Sequence, residues 1–408
     1  MKILHVNNVY DYGSTGKLTA ELHRRLMEHG IDSVVYYGRQ KRSTAPNTYK
    51  ICSEWYAKAN NLRSRITGLM YGGCYISTRH LIQAIMKEKP DVVHLQCLNG
   101  YFVNIYKLIT FLKKHHIPTV LTLHAEFMYT ANCGYALDCN RWQTGCGYCP
   151  RLRQATKSYF LDRTATSWKN MKQAFNGFSN LQLTSVSPWL KERAAQAPIL
   201  QHFPNQVIYN GVNTEVFHPM DTTQLRKQLG IPVNTSVLFY AAPFFDITPD
   251  SFKGGHHIVE LAKRLGPQVQ ILVAGRYNRS LNYPANIKLL GYVSNQQQLA
   301  AYYALADITV LTSKKETFSM ICAESLCCGT PVVGFEAGAP EQISLSQYSK
   351  FCKYGDITTL THFVQETAAH LPSRREVALQ AQQVYSLDTM VKQFINCYHN
   401  LMEKSHAL

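Results

Sequence analysis

The sequence lacks any apolar run of the roughly 18 residues that a membrane-spanning helix needs. It also lacks a leader-like start, because the opening MKILHVNN turns polar after six residues, too early for the apolar core of a signal peptide. Low-complexity tracts and short internal repeats are absent as well. The missing apolar run excludes a membrane-spanning chain, and the balance of 46% hydrophobic and 17% charged residues excludes a disordered, collagen-like or disulfide-miniature protein. We expect an intracellular, cytoplasmic protein whose 408 residues form two or three domains.

Acidic residues are scarce in the first half of the chain. Residues 1–205 hold 26 Lys and Arg but only 11 Asp and Glu, whereas the remaining residues hold 16 and 15. Almost all of the net charge of +16 therefore lies in the first half, which favours an anionic partner. Cations cluster in segments 63–65, 107–116 and 151–172, and in the last two they are mixed with aromatic and aliphatic residues. We expect these segments to dock on an anionic inner-membrane surface, with solvated helix faces as the alternative.

Short apolar runs alternate with segments of helical periodicity along both halves, with a break near residues 198–204. This alternation predicts α/β architecture with parallel sheets. The predicted strands are Lys2–Val6, Ser33–Tyr37, Asp91–Leu95, Thr119–Leu123, Leu183–Val186, Val237–Tyr240, Gln270–Val273, Ile308–Leu311 and Pro331–Gly334. The predicted helices are Lys17–His29, Val103–His116, Gly255–Leu265, Asn295–Leu305, Ser319–Cys328 and Leu387–Glu403.

The pattern divides the chain into two doubly wound domains and a terminal helix. Residues 1–203 form the first domain, residues 204–385 the second, and residues 386–408 a helix that packs back toward the first. Folds of this kind bind ligands at the carboxyl ends of their strands. We therefore expect the binding site in a cleft between the two domains.

Two glycine-containing loops precede predicted helices. Gly13 and Gly16 lie between the first strand and the first helix, where backbone amides can approach an anion. This is not a Walker A loop, because that motif requires Gly at position 11 and Ser or Thr at position 18. Lys253 and Gly254 precede the helix that begins at Gly255, and a Lys there can neutralise a diphosphate. The alternatives are a plain turn and a solvated Lys.

Two carboxylates and one histidine follow strands of the predicted sheets. Glu316 and Glu324 stand eight residues apart, Glu316 at the end of the loop after Ile308–Leu311 and Glu324 within the following helix, which includes Ser319. Carboxylates there can accept hydrogen bonds from sugar or ribose hydroxyls. Favourable charges at a helix start are the alternative interpretation. His124 directly follows the strand Thr119–Leu123, where it could donate a hydrogen bond or shuttle a proton, or else be a core histidine.

Together these residues resemble the family 4 glycosyltransferases, whose GT-B fold has two facing Rossmann-like domains. The resemblance spans nearly the whole chain. Glu316 and Glu324 match the family's pair of glutamates separated by seven residues, and His124 matches its histidine near the donor sugar. Further matches are Asn210-Gly211-Val212-Asn213, Lys253-Gly254, Asp91-Val92-Val93-His94 and Val186-Ser187. Residues 124–150 resemble the branch that makes colanic acid and related bacterial surface polysaccharides.

The resemblance implies a retaining, hexosyltransferase-type enzyme. It would move a sugar from a UDP- or GDP-linked donor to a lipid-linked oligosaccharide, with no cofactor required for catalysis. Lys253 would hold the departing diphosphate, Glu324 the ribose hydroxyls and Glu316 the donor sugar. The departing phosphate would help to deprotonate the acceptor. The residues implied in donor binding are Gly13, Gly16, Asn210, Lys253, Gly254, Arg276, Ser319, Glu316 and Glu324.

The sequence departs from the family at one position of the phosphate site. Thr248 stands where members usually carry an Arg, about five residues before Lys253. Arg276 or Arg279 would substitute for it.

Four cysteines cluster between residues 133 and 149. Cys133, Cys139, Cys146 and Cys149 have the spacing C-x5-C-x6-C-x2-C, and four thiolates suit tetrahedral zinc. We predict a structural zinc site, with paired disulfides or free thiols as the alternatives.

Three other functions compete with the transferase hypothesis. A nucleic-acid-binding protein would use the cysteine cluster as a zinc module and the basic half as its footprint. A GT-B nucleotide-sugar epimerase would need no membrane-facing basic half, and a non-catalytic relative would fit the Thr at position 248. We favour the glycosyltransferase over these three, and we expect no nucleic acid partner.

Overall fold

The computed structural model of the protein describes residues 1–406 and divides into two compact units. The N-terminal unit contains residues 1–209 and the end of the chain from residue 390, and the C-terminal unit contains residues 210–389. The change of unit at 209/210 lies six residues beyond the boundary that we placed at residue 203.

A parallel sheet of seven strands forms the centre of the N-terminal unit, in the order β3-β2-β1-β4-β5-β6-β7. Its strands are β1 Lys2–Asn7, β2 Asp32–Tyr37, β3 Thr48–Lys50, β4 Val92–Leu95, β5 Thr119–Leu123, β6 Leu181–Ser185 and β7 Asn205–Val207. Its helices are α1 Gly13–Glu28, α2 Glu54–Thr67, α3 Tyr75–Glu88, α4 Ile105–Lys114, α5 Phe127–Thr130, α6 Thr164–Phe175 and α7 Pro188–Ala195.

A second parallel sheet, of six strands in the order β10-β9-β8-β11-β12-β13, forms the centre of the C-terminal unit. The strands are β8 Ser236–Phe245, β9 Val269–Tyr277, β10 Ile287–Gly291, β11 Ile308–Leu311, β12 Val332–Phe335 and β13 Ser349–Cys352. The helices are α8 Thr223–Gln228, α9 Gly255–Leu265, α10 Gln296–Leu305, α11 Met320–Cys327, α12 Pro340–Ile343, α13 Ile357–Ala369 and α14 Arg374–Tyr385.

The central strands are apolar because both faces of a parallel sheet are covered by helices. Every residue of β4, β5, β11 and β12 is buried. The predicted bounds of β5, β11 and α9 agree with the structure. The first helix is the clearest disagreement, because it begins at Gly13 rather than Lys17, so that both glycines of the predicted loop lie in its first turn.

The last helix, α15 Leu387–His406, supplies part of the N-terminal core. The hydroxyl of Tyr398 donates to Nδ1 of the buried His94 on β4 at 2.7 Å. The ring of Phe394 lies 4.9 Å from the same imidazole, centroid to centroid. The end of the chain therefore packs on the strand at the middle of the first sheet. Within residues 1–406, no helix combines the length and the apolar character that crossing a bilayer requires.

His5, on β1, is a buried polar residue whose ring makes no hydrogen bond within the described residues. It is fully buried, and neither of its ring nitrogens has a partner in the part of the chain that the structure describes. Because an unpaired buried polar group costs free energy, we expect His5→Leu to raise the free energy of unfolding at neutral pH by about 1 kcal/mol. Urea unfolding at pH 7 measures this change.

The same variant should alter the pH dependence of stability. Burial lowers the pKa of His5 from 6.5 to about 3. The unfolded chain therefore binds a proton before the folded one does, and this group destabilises the fold as the pH falls through that interval. In His5→Leu, the free energy of unfolding should depend less steeply on pH on the acid side, and the change in slope should correspond to at most one proton. His94→Leu removes hydrogen-bond partners from neighbouring groups, so we expect it to lower the free energy of unfolding. A similar decrease in both variants would contradict the prediction.

Candidate active site

The centre of the second sheet brings together two of the predicted residues. Strands β8 and β11 are neighbours at the point where the strand order changes direction, and ligands of such sheets bind outside the carboxyl ends of these strands. Lys253 follows β8 and Glu316 follows β11. Their side chains form a salt bridge, with Nζ of Lys253 2.5 Å from Oε1 of Glu316. The pairing places one cation and one carboxylate at this crevice.

The backbone at Lys253 is fixed by two hydroxyl groups of the same unit. Tyr240 donates to the carbonyl of Lys253 at 2.9 Å, and Thr312 donates to the same carbonyl at 3.0 Å. Gly254 adopts a left-handed conformation with φ of +69°, and a Cβ there would lie 2.1 Å from the carbonyl oxygen of Thr312. Only glycine fits at this position without a change in the backbone. The close approach of these two segments sets the position of Lys253.

Glu316 is held by its own backbone. Its amide donates to the carbonyl of Ala337 at 2.9 Å, and it forms an isolated parallel bridge with Gly338. The carboxylate of Glu341 accepts hydrogen bonds from the amides of both Ala337 and Gly338, at 2.9 and 2.7 Å. The loop that carries Glu316 is therefore braced from the next loop along the sheet edge.

Glu324 lies within α11, one turn or more beyond the start of the helix. Its Oε2 accepts a hydrogen bond from the hydroxyl of Tyr303 at 3.2 Å. Burial, together with this carboxylate, raises the pKa of Tyr303 well above its ordinary value. Ser319 caps the helix, its hydroxyl accepting from the amide of Cys322 at 3.3 Å, and its own φ of +82° is a strained value for a residue with a side chain. The left-handed residue therefore lies between Glu316 and Glu324, where the loop ends and α11 begins.

The structure places the remaining donor-site candidates of the C-terminal unit in other contacts. Val212, two residues after Asn210, pairs with Ser386 in an isolated bridge. Arg276 lies near the end of β9, with its guanidinium 5.2 Å from the ring centroid of Tyr292. Thr248 closes a turn on Asp246, donating to its carboxylate at 2.8 Å. The roles predicted for Asn210, Arg276 and Arg279 stay predictions.

In the N-terminal unit, His124 ends a chain of buried hydrogen bonds that the sequence did not reveal. Nε2 of His124 lies 2.8 Å from Oε1 of Gln96. Because that oxygen only accepts, His124 carries its proton on Nε2. Gln96 also donates from Nε2 to Nδ1 of His94 at 3.3 Å, and His94 in turn donates from Nε2 to Thr122 at 2.7 Å. Gln96 therefore holds His124 in one tautomer.

His124 is a neutral side chain at neutral pH. Burial lowers its pKa from 6.5 to about 4. The Nε2 proton is already donated to Gln96. These two facts favour hydrogen bonding over proton shuttling, the second role that we considered for His124.

Gly13 and Gly16 form the first turn of α1. Gly13 has φ of +63°, and a Cβ on Gly16 would lie 2.9 Å from the side chain of Val9. The side-chain amide of Asn7, at the end of β1, donates from Nδ2 to the carbonyl of Thr15 at 3.2 Å and so ties the strand to this turn. Gly16 must be small because the turn packs closely on Val9, whereas Gly13 has open space around it but a left-handed backbone that favours glycine.

Comparison with known proteins identifies the family. The sequence pattern described as Glycosyltransferase Family 4 matches residues 15–216, and the one described as Glycosyl transferases group 1 matches residues 221–357. The chain is a family 4 glycosyltransferase. This confirms the resemblance on which the transferase hypothesis rests, and it makes the protein an enzyme rather than a zinc module that binds nucleic acid.

Two relatives of the glycosyltransferase are similar to it in sequence, one over nearly the whole chain and the other over about half. A protein of Escherichia coli strain K12, named for glycosyl transfer in colanic acid biosynthesis, is 23% identical over 98% of this chain and 100% of its own length. The N-acetyl-alpha-D-glucosaminyl L-malate synthase of Bacillus anthracis is 22% identical over 48% of this chain and 54% of its own.

Solved structures with the same fold align with nearly the whole length of the glycosyltransferase. Sucrose-phosphate synthase of Thermosynechococcus elongatus has a TM-score of 0.66 at 15% identity, covering 99% of this chain and 100% of its own. HepE of Anabaena, solved with UDP and glucose, has a TM-score of 0.66 at 15% identity, covering 98% and 100%. Together with the two parallel sheets, these likenesses confirm the GT-B fold.

The four clustered cysteines of the glycosyltransferase lie close together but are not joined. All of them are free thiols, so the disulfide alternative is not formed. Burial, with a smaller effect of the neighbouring thiols, raises the pKa of Cys133 to about 11 and that of Cys146 to about 12. Across residues 1–406, no three or more His, Cys, Asp or Glu side chains are arranged to hold a metal ion. Zinc binding by these thiols stays a prediction, which metal analysis of a Cys146→Ala, Cys149→Ala variant tests.

A buried ion pair, unforeseen in the sequence, anchors this cysteine-containing segment. The carboxylate of Glu126 is fully buried and accepts hydrogen bonds from Arg193 Nε at 2.6 Å, from the hydroxyl of Tyr129 at 2.7 Å and from the amide of Ala136 at 2.6 Å. The guanidinium of Arg193 also lies 4.9 Å from the ring centroid of Trp142. These hydrogen bonds occupy the carboxylate of Glu126 and fix the segment from Tyr129 to Ala136 against α7.

Replacing the amide partner of His124 should change its titration. We expect Gln96→Glu to raise the pKa of His124 from about 4 by about one to three pH units, because a carboxylate at hydrogen-bond distance stabilises the imidazolium form. The ring-proton shifts of His124, followed by NMR against pH, measure the change. Gln96→Met, which removes the acceptor without adding charge, is the control and should show no such rise. An unchanged titration in Gln96→Glu would disprove the assignment.

Proposed function

We propose that this glycosyltransferase moves a sugar, with retention of configuration, from a nucleotide sugar to a lipid-linked oligosaccharide during the synthesis of a bacterial surface polysaccharide. The observation that carries the proposal is the salt bridge between Lys253 and Glu316 at the carboxyl ends of the two central strands. The side chain of Lys253 is 29% exposed and that of Glu316 is 11% exposed, so both reach the surface of the crevice.

Lys253 is suited to the charge that develops during transfer. The bond between the sugar carbon and the diphosphate breaks, and negative charge collects on the departing phosphate oxygens. A fixed ammonium and the amides at the start of α9 stabilise that charge without reorganising. The carboxylate of Glu316 keeps the ammonium in place and can accept a hydrogen bond from the donor sugar.

The remaining proposed steps complete the reaction. A new bond forms between the sugar carbon and an acceptor hydroxyl on the same face, and the hydroxyl proton passes to the departing phosphate oxygen. Glu324 binds the ribose hydroxyls of the nucleotide, oriented by its contact with Tyr303. We propose His124, held neutral by burial, as a further residue required for transfer.

The comparisons bear on the donor and on the pathway. HepE of Anabaena has been solved with UDP and with UDP-glucose, which favours a uridine nucleotide for this enzyme too. The name of the Escherichia coli relative favours surface polysaccharide synthesis. The positive charge of the first half suits work on a lipid-linked acceptor at the cytoplasmic face of the inner membrane.

Calorimetric titration with UDP and with GDP tests the donor site. We expect one nucleotide to bind, and both Lys253→Ala and Glu324→Ala to weaken that binding. Lys314→Ala removes an exposed lysine from the neighbouring loop and serves as the matched control. If the folded protein binds neither nucleotide, or if the control weakens binding as much as Lys253→Ala, the donor assignment is wrong.

A further inference from the structure

Helix α2 of the N-terminal unit carries its large apolar side chains on the solvent side. Trp55, Leu62 and Ile66 are 81%, 50% and 49% exposed. At 100° per residue, their positions fall within a narrow stripe along one side of the helix. A surface helix normally turns such a stripe toward the core. The residues that α2 does bury are the small Ala57 and Ser64.

A neighbouring segment extends this apolar stripe. Phe160 is 81% exposed and Leu161 is 43% exposed. The amide of Tyr159 donates to the carbonyl of Arg65 at 2.9 Å, which fixes this segment against the end of α2. We call the exposed apolar residues of α2 and of this segment the apolar ridge: Trp55, Leu62, Ile66, Phe160 and Leu161. Contiguous exposed apolar surface of this kind marks an interaction site.

A basic groove of about 450 Å³ lies beside the ridge. It runs between the start of α3, the length of α4 and the end of α6, and its cations are Arg63, Lys107 and Lys113. The ring of Tyr75 is shared by two of them, with Arg63 at 5.8 Å and Lys107 at 4.5 Å from its centroid. No Asp or Glu is among the described residues that line the groove.

The positions of these cations are set by the fold. Nζ of Lys113 donates to the backbone carbonyls of Gln173 and Asn176, at 3.4 and 2.8 Å, and so lies at the end of α6. Arg63 donates to the carbonyl of Gly72 at 3.5 Å. No ion pair to a carboxylate within the described chain neutralises Arg63 or Lys107. The groove therefore offers a concentration of uncompensated positive charge.

We propose that the groove binds the phosphate of an anionic phospholipid headgroup while the apolar ridge inserts into the bilayer interface. Tryptophan and phenylalanine beside cations are the side chains that suit this depth of the membrane. The proposal rests on the proposed function only in that it names the membrane partner of the N-terminal unit. It does not depend on how the nucleotide binds.

The position of the groove favours a bulk lipid over the reacting acceptor. One end of the groove, at Asn104, lies near the carboxyl ends of the strands, where ligands of such sheets react, but the groove continues along α4 to Lys113 at the opposite end, away from that edge. A nucleic acid would offer the same phosphate groups to the cations of the groove, but it would leave the apolar ridge without a role. Both elements together fit a lipid surface.

Sedimentation with vesicles tests the proposal. The probes are vesicles of phosphatidylcholine alone and vesicles with 30% phosphatidylserine. We expect binding that requires the anionic lipid and weakens with salt. Arg63→Gln with Lys107→Gln should weaken it about 25-fold, since each cation near an anionic leaflet contributes about fivefold. Trp55→Ser with Phe160→Ser should weaken it by a similar factor even at low salt.

The matched control removes two lysines from the other end of α3. Lys87→Gln with Lys89→Gln lowers the net charge equally, about 20 Å along the helix from Tyr75, and should change binding by less than threefold. Equal losses in the control and the groove variant would overturn the proposal. So would tight binding of inorganic phosphate or duplex DNA by a protein that ignores anionic vesicles. UDP binding by the same preparations reports separately on the donor site, so failure of one proposal is distinguished from failure of the other.

Discussion

Lys253→Ala should lower kcat for sugar transfer by about 10²- to 10³-fold, the usual cost of removing one preorganised group that stabilises developing negative charge. The backbone at this position is held by Tyr240 and Thr312, so the substitution removes the ammonium without moving the loop. It also leaves Glu316 without its salt-bridge partner. Steady-state transfer from a sugar donor that carries the nucleotide found to bind in calorimetry measures the effect.

Two further variants separate charge from position. Lys253→Arg keeps the charge but not the point-like ammonium, and we expect it to retain more activity than the alanine variant. Lys314→Ala should leave kcat within about twofold of the wild-type value, as expected for an exposed surface lysine. Wild-type kcat in a folded Lys253→Ala protein would remove this residue from the mechanism.

Gly254→Ala should destabilise the C-terminal unit by about 3 kcal/mol, which is large for a single methyl group. Part of the cost is the left-handed backbone, with φ of +69°, which an L side chain rarely adopts. The rest is the 2.1 Å approach of the new Cβ to the carbonyl oxygen of Thr312, a backbone atom that no rotamer change can move. Thermal unfolding should show a decrease in Tm of about 6–12 °C, and nucleotide binding should weaken because Lys253 is displaced.

Gly230→Ala is the control that measures the backbone cost alone. The difference between it and Gly254→Ala gives the cost of the close approach to Thr312. Gly230 has φ of +64°, nearly the same as Gly254, but a Cβ there would meet no atom within 4 Å. This control should lose only about 1–2 kcal/mol, the backbone cost alone, and should bind nucleotide normally. Equal Tm losses in the two variants would show that the contact with Thr312 contributes nothing.

The buried centre of each sheet could be predicted from the sequence, because strands covered on both faces are continuous apolar runs. β5, β11 and α9 have the predicted bounds. The edge strands were missed: β3 and β7 have three residues each and no fully buried position, so they carry no apolar signal. Helix α1 begins earlier than the sequence predicted, because Gly13 and Gly16 are typical of a loop. Only the structure shows that Gly16 packs closely against Val9 and that Gly13 has a left-handed backbone.

The candidate site was predictable residue by residue but not as an arrangement. Sequence reasoning placed Lys253 before a helix and Glu316 after a strand, yet their pairing across 63 residues depends on β8 and β11 being neighbours. Gln96 had no signal, because its role comes from facing His124 across two strand ends. On α2, the apolar spacing of Trp55, Leu62 and Ile66 is that of an ordinary core-facing helix. Only the structure shows that this face is turned outward.

The hydrogen bond between Tyr398 and His94 joins groups that are 304 residues apart in the chain. During synthesis, β4 leaves the ribosome long before α15 exists. At about 5–20 residues per second, the roughly 180 residues of the C-terminal unit are made during about 10–40 s. For that time the first sheet lacks the ring of Phe394 and the hydroxyl of Tyr398, and the imidazole of His94 is uncovered. The first domain to be translated is therefore the last to be completed, and a chain stalled before α15 would display this unfinished core to chaperones and proteases.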